Sequence, residues 1–228
     1  MKITYYGHAC FKVRIAETEL LFDPFISPNP LANHVRLDQV SADYIFVSHG
    51  HEDHLADATY LVRTRNIPVI SNFEVSNWFS KQGVRKAHAM NHGGTLILPF
   101  GKVKYVYAQH SSSLPDGSYG GNPGGFVVHS SSEAFYYSGD TALTTDMKYI
   151  GEDFQLNFSA FPIGDTFTMG YEDAARAASL TQVRDVLGLH YNTFPAIQVD
   201  RQMALDHFQQ ANLRLHLPPI GTSIRLET

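Results

Sequence analysis

A strand-like run, Tyr44-Ile45-Phe46-Val47, leads straight into Ser48 and then His49-Gly50-His51-Glu52-Asp53-His54, where five of six residues carry an imidazole or a carboxylate. Such density restricts what the chain can fold into, because groups that bind a proton or a metal must be aimed at one point by something rigid. Imidazole and carboxylate are the N and O donors of borderline divalent ions, and a compact turn after a strand can direct neighbouring side chains inward where a regular helix would splay them. His49 and His51, two apart, can reach one ion, while the adjacent Asp53 and His54 can reach a second. The competing reading is a solvated loop, and the placement of other donors argues against it.

Three further ligand-type residues stand in the same position relative to a strand. His110 ends VKYVYAQH, Asp140 ends AFYYSGD and His190 ends VLGLH, each after a β-like run and before a turn-rich segment. Donors at strand ends are held by a sheet, which can keep metal–nitrogen distances near ~2.0–2.1 Å. Taken singly, His110 or His190 reads as a hydrogen-bonded core or surface histidine, and Asp140 as a cap for a turn or for a helix near Thr145. Beside HGHEDH all three become candidate ligands.

Aromatic and β-branched runs closed by Gly, Ser, Asn or Asp predict strands at Ile3–Tyr6, Cys10–Ile15, Glu19–Phe22, Tyr44–Val47, Val69–Ser71, Thr95–Leu98, Val103–Ala108, Phe126–Val128, Ala134–Tyr137, Leu156–Phe161 and Val186–Leu189. Helical spacing predicts helices at Ala56–Thr64, Glu74–Gln82, Thr145–Ile150, Tyr171–Leu180 and Arg201–Gln210. Hairpin-like runs followed by strand–helix alternation fit a doubly wound parallel sheet poorly and suit an α/β sandwich of two mixed sheets flanked by helices. Ser111–Gly125, with five Gly, two Pro and four Ser, reads as a functional loop, a partly mobile flap or a linker between halves.

Composition narrows the function. At 43% hydrophobic and 17% charged, residues 1–228 read as one domain with a sizeable core. A net charge of −5 without a basic run disfavours nucleic acid, and the lack of ~18 consecutive apolar residues disfavours a membrane. The single cysteine, Cys10, excludes an intramolecular disulfide framework and an all-cysteine zinc site and reads as a small core hydrophobe. Without a secretory apolar core near Met1, the expectation is a soluble, cytoplasmic protein acting on a small molecule, with a homo-oligomer left open.

HGHEDH resembles the HxHxDH signature of the metallo-β-lactamase fold superfamily, and His110, Gly139-Asp140-Thr141 and His190 follow in that superfamily's order. More closely, Gly7-His8-Ala9-Cys10-Phe11, Asp23-Pro24-Phe25, Pro162–Gly170 and His190–Pro195 resemble the small bacterial and archaeal metal-dependent hydrolases akin to L-ascorbate-6-phosphate lactonase. Tyr171 departs from the proline common there. The resemblance implies an αββα sandwich with the site at one edge between the sheets. It implies that His49, His51 and His110 hold a first ion and Asp53, His54 and His190 a second, with Asp140 shared. His8 and Asp23 are implied to lie close behind the metals. His8, Tyr191, Asn192 and the Ser111–Gly125 loop also read as donors or a lid near the expected site, able to grip a phosphate or carboxylate group. No room remains for the inserted domain of the superfamily's nucleases.

Two cations ~3.5–4 Å apart can hold a hydroxide between them. The expectation is therefore a dinuclear hydrolase in which Asp53 orients a metal-bound hydroxide toward a small ester, lactone, amide or phosphodiester. Zinc is the default ion, and Mn, Fe or Ni suit the same donors. The alternatives are a mononuclear iron oxidoreductase resembling persulfide dioxygenases, and a metal-binding protein without catalysis.

Overall fold

The computed structural model describes residues 1–226. Six strands come first: β1 (Lys2–Gly7), β2 (Cys10–Ile15), β3 (Thr18–Phe22), β4 (Tyr44–Phe46), β5 (Val69–Asn72) and β6 (Ala87–Met90). Seven more follow, β7 (Thr95–Leu98), β8 (Gly101–Tyr107), β9 (Gly124–His129), β10 (Ala134–Tyr137), β11 (Phe158–Pro162), β12 (Asp185–Leu189) and β13 (Arg214–His216), before the last, β14 (Ser223–Arg225). One sheet has the order β14-β1-β2-β3-β4-β5-β6 and the other β13-β12-β11-β10-β9-β8-β7, so the two mixed sheets expected from the sequence are present.

Inward-facing aromatics hold the sheets together. The Phe22 ring meets Phe126, Phe135 and Tyr137 at 6.2, 5.6 and 5.7 Å, and Phe46 meets Phe126 at 5.2 Å, all four contacts crossing from one sheet to the other. Each fully buried ring contributes about 1.5–3 kcal/mol by leaving water. Helices α1 (Glu52–Leu55), α2 (Ala58–Arg65), α3 (Phe73–Lys81), α4 (Asp146–Asp153), α5 (Tyr171–Leu180) and α6 (Arg201–Gln210) complete the layers. In α5, Ala174, Ala175, Ala177 and Ala178 are all buried, and this small face admits close neighbours. The α3 start is set by Asn72, whose side chain accepts from Val75 N, and the α6 start by Asp200, which accepts from Gln202 N and Met203 N.

Three expectations need correction. HGHEDH is a turn only as far as His51; Glu52–Leu55 form one helical turn, which places Asp53 and His54 at its start. Ser111–Gly125 does not link the halves: it joins β8 to β9, antiparallel neighbours in one sheet, and its last two residues belong to β9. Nor is it loose, since Gly50 N donates to Ser112 Oγ, Asn72 Nδ2 to Gly120 O and Trp78 Nε1 to Asp116 Oδ2. The halves are joined instead by the short segment 91–94. Thr145 precedes α4 without Asp140 capping it. Cys10 is buried as expected, and burial pushes its thiol well above the usual range. The proline replaced by Tyr171 is not required, as α5 starts there.

Candidate metal centre

Within each sheet, the strands that lead to HGHEDH, His110, Asp140 and His190 run in the same direction. Residues just past their ends therefore share one edge of the sandwich, as do His8 after β1 and Asp23 after β3. The backbone turns sharply to achieve this. His8, Asp23 and His190 are all left-handed, with φ of 54, 41 and 53°, a conformation uncommon outside glycine that collects at functional sites.

Two donor groups result. Ring nitrogens of His49, His51 and His110 lie within 4.8 Å of one another, and so do donor atoms of His8, Asp53, His54 and His190. Asp140 stands between them, its Oδ2 being 3.2 Å from His54 Nε2, 3.0 Å from His190 Nε2 and 3.7 Å from His110 Nε2. Asp53 Oδ2 is 3.9 Å from His190 Nε2 and 4.0 Å from His54 Nε2.

A layer of hydrogen bonds behind these atoms decides which nitrogen of each ring faces inward. Asp23, wholly buried, accepts from Ser48 N at 2.7 Å, from Ser48 Oγ, from Tyr137 OH and from His54 Nδ1 at 2.7 Å. His54 thus spends its Nδ1 proton on Asp23 and turns Nε2 toward the donor cluster. Because the Ser48 hydroxyl proton goes to Asp23, its oxygen accepts from His49 Nδ1 at 2.9 Å, and His49 also presents Nε2. His8 Nε2 donates to Asp53 Oδ2 at 3.0 Å, leaving its Nδ1 to accept from Thr193 Oγ1 at 3.0 Å. Such partners fix tautomer and ring orientation in metal sites.

The donor set fits divalent ions on this structure's own terms. His49 Nε2 approaches His51 Nδ1 to 2.8 Å, and His54 Nε2 lies near the Asp140 carboxylate without hydrogen-bond alignment. Of four buried side-chain polar atoms without a partner among the described residues, two, His54 Nε2 and His190 Nδ1, belong to this cluster. Every ion-pair partner of Asp23, Asp53 and Asp140 among the described residues is a histidine. Buried carboxylates without Lys or Arg call for another positive charge.

Electrostatics divides the site. Burial holds His49 well below the usual imidazole range and lowers His51 and His110, so the first group is neutral. Burial and the neighbouring His190 push His8 down to about 4. Burial disfavours a charge on His54 as well, but Asp140, Asp53 and Asp23 outweigh it and raise His54 well above its ordinary value. Burial likewise opposes ionisation of Asp140 and Asp53; His190 and His54 overcome it at Asp140, His54 and His8 at Asp53, and both carboxyls lie below the usual range.

The Tyr191 hydroxyl and the Asn192 amide oxygen have partners outside the donor cluster. Tyr191 is buried against Tyr5 and its hydroxyl accepts from Arg201, while Asn192 Oδ1 accepts from Val199 N at 2.7 Å. The left-handed turn at His190 sends the next residue into the core. Ser48, Tyr137 and Thr193 escaped sequence reasoning, since hydroxyl residues near strand ends are common and only the fold brings these three to Asp23 and His8.

A family model described as a beta-lactamase superfamily domain matches residues 18–191. The chain is 49% identical over 226 residues to a protein of Methylacidiphilum infernorum named UPF0173 metal-dependent hydrolase, covering 99% of this chain and 100% of that one. It is 44% identical to one of the same name from Christiangramia forsetii, with coverages of 99% and 100%. Among solved structures, Igni18, described as a novel metallo hydrolase from the hyperthermophilic archaeon Ignicoccus hospitalis, superposes with a TM-score of 0.89 at 30% identity, over 98% of this chain and 97% of that one.

Proposed function

This chain belongs to the beta-lactamase superfamily domain family, and from that premise we propose that it is a dinuclear metal-dependent hydrolase of a small ester, lactone, amide or phosphodiester. His49, His51 and His110 would hold one ion, Asp53, His54 and His190 the other, and Asp140 would be shared. The observation that carries the reading is Asp140 Oδ2, within 3.7 Å of a histidine nitrogen from each donor group. Divalent ions bound there lower the pKa of water and offset the negative charge that builds on the attacked oxygen.

The chain's own residues supply orientation. Asp53 gives one carboxylate oxygen to the His8 N–H and, at 29% exposure, keeps the other open to accept a hydrogen bond from an attacking water. Asp23 locks His54 directly and His49 through Ser48. No side-chain nucleophile is required, and buried Cys10 is not one. Zinc is the default ion, with manganese, iron or nickel as alternatives. Among the described residues no helix is long and apolar enough to cross a membrane. A cytoplasmic setting belongs to the same proposal, supported by the unpaired Cys10.

The test is elemental analysis of purified protein, followed by reconstitution with each ion and turnover on ester, lactone, amide and phosphodiester panels. Two ions per chain are expected. His51→Ala and Asp140→Ala should lose both metal and turnover while keeping the circular dichroism of the parent. Full activity in either variant, or a single iron per chain with oxygen uptake, would overturn the assignment.

A further inference from the structure

All seventeen Lys and Arg lie within the described residues, and the side-chain ion pairs described for them run to Glu17, Glu19, Asp38, Glu152, Asp173 and Asp185, outside the donor cluster. At the strand-start end of the sheets, Lys2 pairs in register with Arg14 and Arg225, and Asp185 with Arg214. The first cation after His190, Arg201, commits its guanidinium to Tyr191 OH at 3.2 Å and Leu217 O at 2.8 Å. Arg36 and Lys148 pair with Asp38 and Glu152 at 2.7 and 3.6 Å.

What borders the cluster instead is aromatic. Phe25 and the half-buried Phe194 both pack against His8, their ring centroids 5.5 and 5.4 Å from the imidazole and 6.4 Å from each other, and His8 in turn bonds to Asp53. A second aromatic is displayed by the turn closed by the Gly164–Gly170 bridge. There both Asp165 and Thr166 are left-handed, with φ of 60 and 58°, which a β-branched residue rarely tolerates. The turn is tied down at both ends of the site: Met169 N donates to Thr141 O beside Asp140, and Thr166 Oγ1 donates to Ala196 O, two residues from Phe194, each at 2.9 Å. Its tip, Phe167, is 57% exposed.

Resting on the hydrolase reading above, we propose that Phe167 and Phe194 form the specificity edge of the site. The substrate is an uncharged ester, lactone or amide bearing an aromatic or branched hydrocarbon group, with neither phosphate nor carboxylate on its non-reacting part. An anionic tail would meet hydrocarbon rings, and the guanidinium that follows His190, that of Arg201, is already bonded to Tyr191 OH and Leu217 O. A hydrocarbon group would instead gain contact with rings that the strained turn and the edge-to-face packing on His8 already hold in place.

The experiment uses the metal-reconstituted full chain and two arms. In the first, kcat/KM is compared for a benzyl ester and its para-carboxylate and para-phosphate analogues; the neutral ester should lead by about tenfold or more, and Phe167→Ala and Phe194→Ala should each shrink that lead by up to about tenfold. In the second, calorimetric binding of 4-phenylbutan-2-one, a ketone with no ester or amide bond to cleave, is compared with that of its para-carboxylate, which reads the same preference without turnover. Failure of every ester to react would count against the hydrolase reading while the binding arm still decided the inference. Tighter binding or faster turnover of the charged member, no binding of the neutral probe, or preferences untouched by both substitutions would overturn it.

Discussion

Replacing Asp23 by asparagine separates the orienting layer from the donor atoms themselves. Oδ1 accepts from Ser48 N, while Oδ2 accepts from Ser48 Oγ, His54 Nδ1 and Tyr137 OH. Asparagine has one oxygen. If it takes the place of Oδ2, the new NH2 group confronts Ser48 N–H; if it is flipped, the NH2 group confronts three donors. At least one buried donor is left unsatisfied either way, costing about 1–3 kcal/mol of folding stability. The negative charge that fixes His54, and His49 through Ser48, is lost as well. Substitutions in such outer layers weaken metal binding by about 10–100-fold, or ~1.4–2.8 kcal/mol. Chelator competition measures the affinity, and urea unfolding of the chelated protein measures the stability. If D23N binds divalent ions as tightly as the parent while losing stability, Asp23 is a core residue only and the orienting role assigned to it is wrong.

Three further outcomes are expected. Because three carboxylates keep a proton on His54 in the metal-free chain against its burial, ion binding near neutral pH should expel a proton; calorimetry in buffers of different ionisation heat reads this, and zero release would contradict it. Burial holds His8 at about 4 in the fold against roughly 6.5 unfolded. Below the unfolded value only the unfolded chain takes up that proton, so metal-free stability falls from about pH 6.5 down to about pH 4, by up to ~3 kcal/mol, and His8→Gln should flatten that slope in denaturant titrations. Gly164→Ala should lower metal affinity, because a Cβ there would lie 2.1 Å from His190 O; a crystal structure with His190 unmoved and affinity unchanged would show the backbone yields elsewhere.

The donors were legible because their types are rare in that arrangement and each follows a strand whose β-branched and aromatic residues mark it plainly. Helices α5 and α6 were legible to the residue, since alanine-rich or well-capped periodicity is local. Strands β6, β13 and β14 were not: Ala87–Met90, Arg214–His216 and Ser223–Arg225 are short and hold at most one β-branched or aromatic residue each, and their extended state is imposed by β5, β12 and β1 alongside. The helical turn at Glu52 was hidden for the opposite reason, because ligand types dominate its composition. The hydroxyl layer of Ser48, Tyr137 and Thr193 lies beyond any local pattern, its three members meeting their partners across 25, 114 and 185 positions of chain.

The sharing of donors between the two sheets bears on biosynthesis. His49, His51, Asp53 and His54 leave the ribosome long before His110, Asp140 and His190, so the early half of the nascent polypeptide offers only part of either coordination shell. On the proposed ligand assignment, metal capture is a late maturation event that reports a finished sandwich, and a fragment released by proteolysis between the halves would surrender any ions even if each piece kept its shape.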